Sequence, residues 1–128
     1  MKKQEITPEV RRFVLTSIPS VPHMEALMLL CSTAPMHWSA LALAQRLYVT
    51  PSSASAVLAD LELAGMLERT ADGLAYTYAP SAPALAYIVE QLAIFYSSHL
   101  VEITVLIHSK LDRKAQQFAD AFDFRKDS

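Results

Sequence analysis

The chain has 128 residues, 52% of them hydrophobic and 19% charged, with a formal net charge of −2. That length suits one domain with a sizeable core, and the apolar excess implies that some apolar surface is buried between chains. Two glycines and one cysteine exclude a disulfide framework, a cysteine-based zinc site and a glycine-rich phosphate loop.

The N-terminal MKKQEITPEV carries lysines with no apolar run behind them, which is not the pattern of a signal peptide, so a cytoplasmic location is expected. Thr7-Pro8-Glu9 opens a first helix: threonine is a good N-cap, and proline suits the first helical turn. Val10, Phe13 and Val14 form its apolar side, and Pro19 and Pro22 break it. Ser20 caps a second helix from about Val21 to Ser32-Thr33-Ala34-Pro35. Met24, Leu27, Met28, Leu30 and Cys31 make it apolar on most sides, so it is expected at the centre, with Cys31 a small buried hydrophobe.

Trp38 is short-strand or loop material, expected in the core against the third and fourth helices. Ser39 caps the third helix, with Leu41, Ala44 and Leu47 inward and Gln45 and Arg46 outward. After the Tyr48-Val49 turn, Thr50-Pro51 starts the fourth helix, in which Ala54, Val57, Leu58 and Leu61 make one apolar stripe. Gly65 stops it, and Met66-Leu67 begin an extended segment. The lengths and caps of the third and fourth helices describe a helix-turn-helix.

Residues 66–79 read as a β-hairpin about an Asp72-Gly73 type I′ turn, with Tyr76 and Tyr78 on one strand face. Pro80 ends it. Ser81 then caps a helix running to about Lys110, with Pro83 in its first turn. Leu85, Val89, Leu92, Tyr96, His99, Ile103 and Leu106 form a seam along it, and Ile88, Phe95 and Leu100 widen the apolar side. Glu90, Gln91, Ser97, Ser98, His99 and Glu102 interrupt the run too densely for a membrane span. Residues 111–128 form an amphipathic tail with Ala115, Phe118, Ala119 and Phe122 at helical spacing.

The fold class is therefore mainly α with a small β-hairpin wing. Residues 1–80 form the winged-helix domain, 81–110 the long C-terminal helix and 111–128 the tail. The segment from about residue 20 to 80, above all Leu61-Glu62-Leu63-Ala64-Gly65-Met66-Leu67 at the junction of helix and wing, resembles the MarR-like winged helix-turn-helix regulators. The resemblance implies a homodimer joined through terminal helices, with the fourth helix in the major groove of DNA and the wing along the backbone. It implies that Ser52, Ser53, Ser55 and Ala56 meet the DNA, with Arg46 and Arg69 on phosphates, and that the seam from Leu85 to Leu106 is the dimer interface.

The charge pattern departs from that family. Positions 47–68 hold no Lys or Arg. Residues 13–109 hold two cations, Arg46 and Arg69, against seven carboxylates, a net −5, whereas DNA affinity rests on neutralising phosphates. Lys2, Lys3, Arg11 and Arg12 are the cations at the N-terminus. The expected function is a DNA-binding transcriptional regulator acting as a homodimer, and the alternative is a winged-helix protein-interaction module that has kept the scaffold and lost the cationic surface. No nucleophile–base–orienter set is visible, so no enzyme, cofactor or metal is expected. His99 and Glu102, one turn apart, read as a polar contact at the dimer seam. Phe118 and Phe122 are candidates for docking on their own chain, a second copy or a protein partner.

Overall fold

Four helices begin at a side-chain hydroxyl that accepts a backbone N–H of the first turn. In the computed structural model, which describes residues 5–109, these are α1 (Pro8–Ser17), α2 (Val21–Thr33), α3 (Ala40–Leu47) and α4 (Pro51–Leu63). Thr7, Ser20, Ser39 and Thr50 cap them through the amides of Val10, His23, Ala42 and Ser53. Each such cap is worth about 1 kcal/mol, enough to fix where a short helix starts. The expectations for Lys2, Lys3 and residues 110–128, with Phe118 and Phe122, lie outside the described residues.

The molecule is mainly helical, with one antiparallel hairpin, β1 (Leu67–Arg69) paired with β2 (Tyr76–Tyr78) in the register Leu67↔Tyr78 and Arg69↔Tyr76. Trp38 adds an isolated bridge to Tyr76, through Trp38 N–H to Tyr76 O at 2.8 Å and Tyr76 N–H to Trp38 O at 2.9 Å. Its indole N–H donates to Thr33 Oγ1 at 3.0 Å, and the ring is buried, so Trp38 joins α2 to the hairpin from within the core.

α4 packs on α3, α2 and β1, and presents Ala54, Val57, Leu58 and Leu61 to the interior, the stripe its spacing predicts. α3 departs from its expected face. Leu43 and Ala44 are buried, whereas Leu41 is 58% exposed. An eight-residue helix of alternating alanine and leucine fits two registers equally well, and contact with α4 chooses between them.

Two tight places set how α4 is held. Tyr48, in the turn between α3 and α4, is left-handed at φ 58°, a conformation that costs a side-chain-bearing residue about 1–2 kcal/mol. Gly65 follows α4 at φ +84°, and a Cβ there would lie 2.6 Å from Ser81 Oγ. Only glycine satisfies both the angle and the close approach.

Two expectations about turns and caps are corrected. The hairpin turn is not type I′, because Gly73 has positive φ (+74°) and Asp72 does not. A turn closed by Gly73 N–H to Thr70 O replaces it, and Asp72 Oδ1 accepts from the Thr70 hydroxyl and from Leu74 N–H. Ser81 does not cap the next helix. α5 (Pro83–Tyr96) has Ala82 at its N-cap with no side-chain bond, since Ser81 is held against Gly65 by its N–H to Gly65 O at 2.8 Å.

The expected continuous C-terminal helix is bent. α5 stops at Tyr96, and α6 (Leu100–Ser109) leaves at 117° to it. No single described helix is long and apolar enough to cross a membrane. The bend folds Ile103 and Ile107 of α6 into the same core as Val89, Leu92 and Phe95 of α5.

Candidate functional site

The outward face of α4 is the surface that the fold leaves open. Ser52, Ser53, Ser55, Ala56, Ala59 and Asp60 are all exposed, because the buried stripe takes the opposite side of the helix. Leu63 at its C-terminal end is 89% exposed, and Tyr48 at its N-terminal side 95%. At the hairpin tip Leu74 is also largely exposed. The face is thus small, hydroxylated and apolar in its centre.

Each of the two expected phosphate contacts has its own surroundings within the chain. Arg69 Nη2 donates to Glu62 Oε1 at 3.0 Å, and the guanidinium carbon lies 5.1 Å from the Tyr76 ring centroid. An ion pair plus a cation–π contact occupies that cation within the chain. Arg46 lines a cleft of about 320 Å³ with Glu25, Met28, Leu29, Ser32, Leu47, Ala93 and Tyr96, to which α4 contributes no residue. Arg11 pairs with Glu102 of α6 at 4.0 Å, and α1 packs on α5 rather than α4. The described N-terminal cations therefore do not frame the α4 face.

The acidic groups around the face are also engaged. Asp60 Oδ2 accepts from His23 Nε2 at 2.9 Å, and His23 Nδ1 faces Ser20 Oγ at 2.5 Å. The three side chains line up in the order of a serine–histidine–aspartate relay, but Ser20 Oγ also caps α2 and the Asp60 side chain is 57% exposed to solvent. Its evident work is to tether the start of α2 to the outer side of α4. The Thr70 hydroxyl and the Leu74 amide hold the Asp72 carboxyl below its usual range.

Neither the relay nor the Glu62–Arg69 pair has a signal in the sequence. Ser20 and His23 stand one helical turn apart, a spacing that signals only a cap, and Asp60 is thirty-seven residues further on. Glu62 and Arg69 meet because Gly65 reverses the chain between them.

On the other side of the molecule, the expected dimer seam turns inward. Val89, Leu92, His99 and Ile103 are buried in the chain's own core, and Leu85, Tyr96 and Leu106 are half-buried. The seam expected between chains serves here to hold α5 and α6 to the rest of the domain. Tyr87, Ile94, Leu100, Val101 and Val105 are the large apolar residues of these helices that stay exposed. His99 is 9% exposed, faces Ser98 Oγ through Nδ1 at 2.7 Å and meets the Phe95 ring edge-on at 5.3 Å. Among the described residues no three His, Cys, Asp or Glu side chains converge to hold a metal ion.

Behind the hairpin, burial pushes the Cys31 thiol up and the Tyr78 phenol well up from their ordinary ranges. The Tyr78 hydroxyl is enclosed beside the Cys31 thiol. Burial also raises Tyr96, with the Glu25 charge adding to the effect. No family model matches the chain, and no curated protein is significantly similar to it.

Proposed function

We propose that the chain is a winged-helix module, acting as a homodimer in the cytoplasm, that engages a protein partner through the outer face of α4 and the hairpin. One observation carries the reading: of the two cations of residues 13–109, Arg69 is paired with Glu62 over the Tyr76 ring, and Arg46 lines a cleft with Glu25 to which α4 contributes no residue. Nucleic-acid affinity comes chiefly from cations placed on phosphates. The exposed Tyr48, Leu63 and Leu74 at the margins of that face supply aromatic and apolar surface of the kind that protein interfaces bury.

The order of α2, α3, α4 and hairpin supports the MarR-like resemblance as a matter of scaffold. It also supports a second reading, a DNA-binding transcriptional regulator. Ser52, Ser53, Ser55 and Ala56 are open to solvent at the N-terminal half of α4, where hydroxyls and a methyl group can meet base edges.

Titration of random duplex DNA at low salt separates the two. The interaction-module reading expects no binding at micromolar protein. A regulator shows weak, salt-sensitive affinity that Arg46→Ala/Arg69→Ala lowers. For the partner surface, Leu63→Asp leaves the thermal midpoint almost unchanged, because the side chain is 89% exposed, while weakening partner binding. An unchanged affinity for an identified partner would remove α4 from the contact.

A further inference from the structure

The bend between α5 and α6 occurs where the sequence has no helix breaker. Ser97-Ser98-His99 contains neither proline nor glycine, and Ser97, the cap of α5, has helical angles of φ −69° and ψ −33°. His99 N–H still reaches Phe95 O at 2.8 Å and Ile103 N–H reaches His99 O at 2.9 Å, both bonds of α-helical span. The hydrogen-bond ladder is therefore interrupted over a very short stretch. Ser98 helps hold it open, since its hydroxyl lies 3.3 Å from Phe95 O and 2.7 Å from His99 Nδ1.

The apolar pattern ignores the bend. The seam from Leu85 to Leu106 keeps alternating steps of four and three residues straight through it. Tyr87, Ile94, Val101 and Val105 fall in the same register two positions on, at steps of seven, seven and four, with Gln91 and Ser98 at the positions between. In a continuous helix these lie on opposite sides, two stripes about 200° apart. Bent, the chain uses the first stripe internally and leaves Tyr87, Ile94, Val101 and Val105 exposed on two divergent helices. Straightened from Pro83 to Ser109, it would align that second stripe, Tyr87 to Val105, over about 27 Å.

We infer that the elbow at Ser97–His99 opens, and that α6 is exchanged between two copies of this chain. The docking site for the incoming α6 is the one its own α6 fills here, where Ile103 and Ile107 are buried and Glu102 meets Arg11. Exchange keeps those contacts, makes them between chains, and adds the aligned Tyr87–Val105 stripe as a new helix–helix contact. This rests on the homodimer reading and specifies how the dimer is built.

Alanine and glycine at the elbow move the equilibrium in opposite directions. Ser97→Ala/Ser98→Ala removes the hydroxyl that holds the bend and favours a continuous helix; its dimer dissociation constant should fall about ten-fold or more. Ser97→Gly/Ser98→Gly disfavours the straight helix and should shift the chain towards monomer, with circular dichroism confirming that both variants fold. Geometry is read by cross-linking an equimolar mixture of Arg11→Cys and Glu102→Cys chains, each with Cys31→Ser, using a short bis-maleimide. Exchange expects a covalent heterodimer, stronger in the alanine background. A dimer by light scattering that gives no such cross-link overturns the exchange and leaves the homodimer standing. Monomers throughout, with the alanine variant no tighter, overturn both.

Discussion

The α2–α4 region with its hairpin and the α5–α6 pair are stabilised in different ways. In the first, each helix starts on a hydroxyl cap, Gly65 closes α4, and Trp38 ties α2 to the hairpin by backbone and side-chain bonds. In the second, α5 starts at Ala82 without a side-chain cap, the bend carries a single serine–backbone bond from Ser98 to Phe95 O, and Tyr87, Ile94, Val101 and Val105 remain exposed. In the first region local caps and tertiary contacts agree on where the helices begin and end. In the second the local pattern favours a straight helix while burial of Ile103 and Ile107 favours a bent one. Where the two levels disagree, a second arrangement lies close in free energy.

The comparison breaks first if the core does not carry the α2–hairpin half. Leu58 is fully buried, so Leu58→Ala should cost about 2–5 kcal/mol in urea unfolding. A cost near zero would mean that the α4 stripe is not packed as described. Leu92 is equally buried, and Leu92→Glu should unfold the chain rather than merely dissociate a dimer. Ile94→Glu, at 61% exposure, is the variant that reports on association alone, read by light scattering.

Caps sharpen the contrast at smaller scale. Thr50→Ala should cost about 1 kcal/mol, whereas Ala82→Ser should stabilise α5 by up to about 1 kcal/mol, both by chemical denaturation. Equal and opposite shifts would show that only the missing cap distinguishes the two starts. Tyr48→Gly, relieving the left-handed turn before α4, should be neutral or stabilising by about 1 kcal/mol, although it removes a side chain that is 95% exposed.

Alkaline pH probes the ground between the halves. Cys31, Tyr78 and Tyr96 have raised pKa values in the fold, chiefly through burial, so each is held neutral there. Their contribution is complete below the ordinary values of 9.0 for the thiol and 10.0 for the phenols, and is lost as pH rises through the higher values of the fold. The thermal midpoint should be level near neutrality and decline above about pH 9. Cys31 should also react slowly with iodoacetamide near pH 8, because the thiolate is suppressed.

Much of the architecture is legible because it is written in local chemistry. Thr50-Pro51 and Gly65 bound α4, and Ala54, Val57, Leu58 and Leu61 all lie on its buried side, since a 3.6-residue period needs no partner to be recognised. The inward face of α3 is not legible, because alanine and leucine alternate through it and only packing on α4 prefers Leu43 to Leu41. The hairpin turn departs from its expected type because Asp72 bonds Thr70 and Leu74 instead of taking positive φ. The bend at Ser97–His99 has no sequence signal, as it arises from burying Ile103 and Ile107 rather than from a breaker. At the candidate face, helical period alone exposes the serines and alanine, whereas the engagement of Arg69 with Glu62 and of Asp60 with His23 depends on distant segments meeting.

The central claim is that the α4–hairpin face lacks the cationic frame that DNA requires. Its most direct test is fluorescence anisotropy of a labelled random duplex against the wild-type chain over a series of salt concentrations. The account predicts no saturable binding at micromolar protein at the lowest salt. Binding whose logarithm falls linearly with the logarithm of salt, and that disappears in Arg46→Ala/Arg69→Ala, would contradict it.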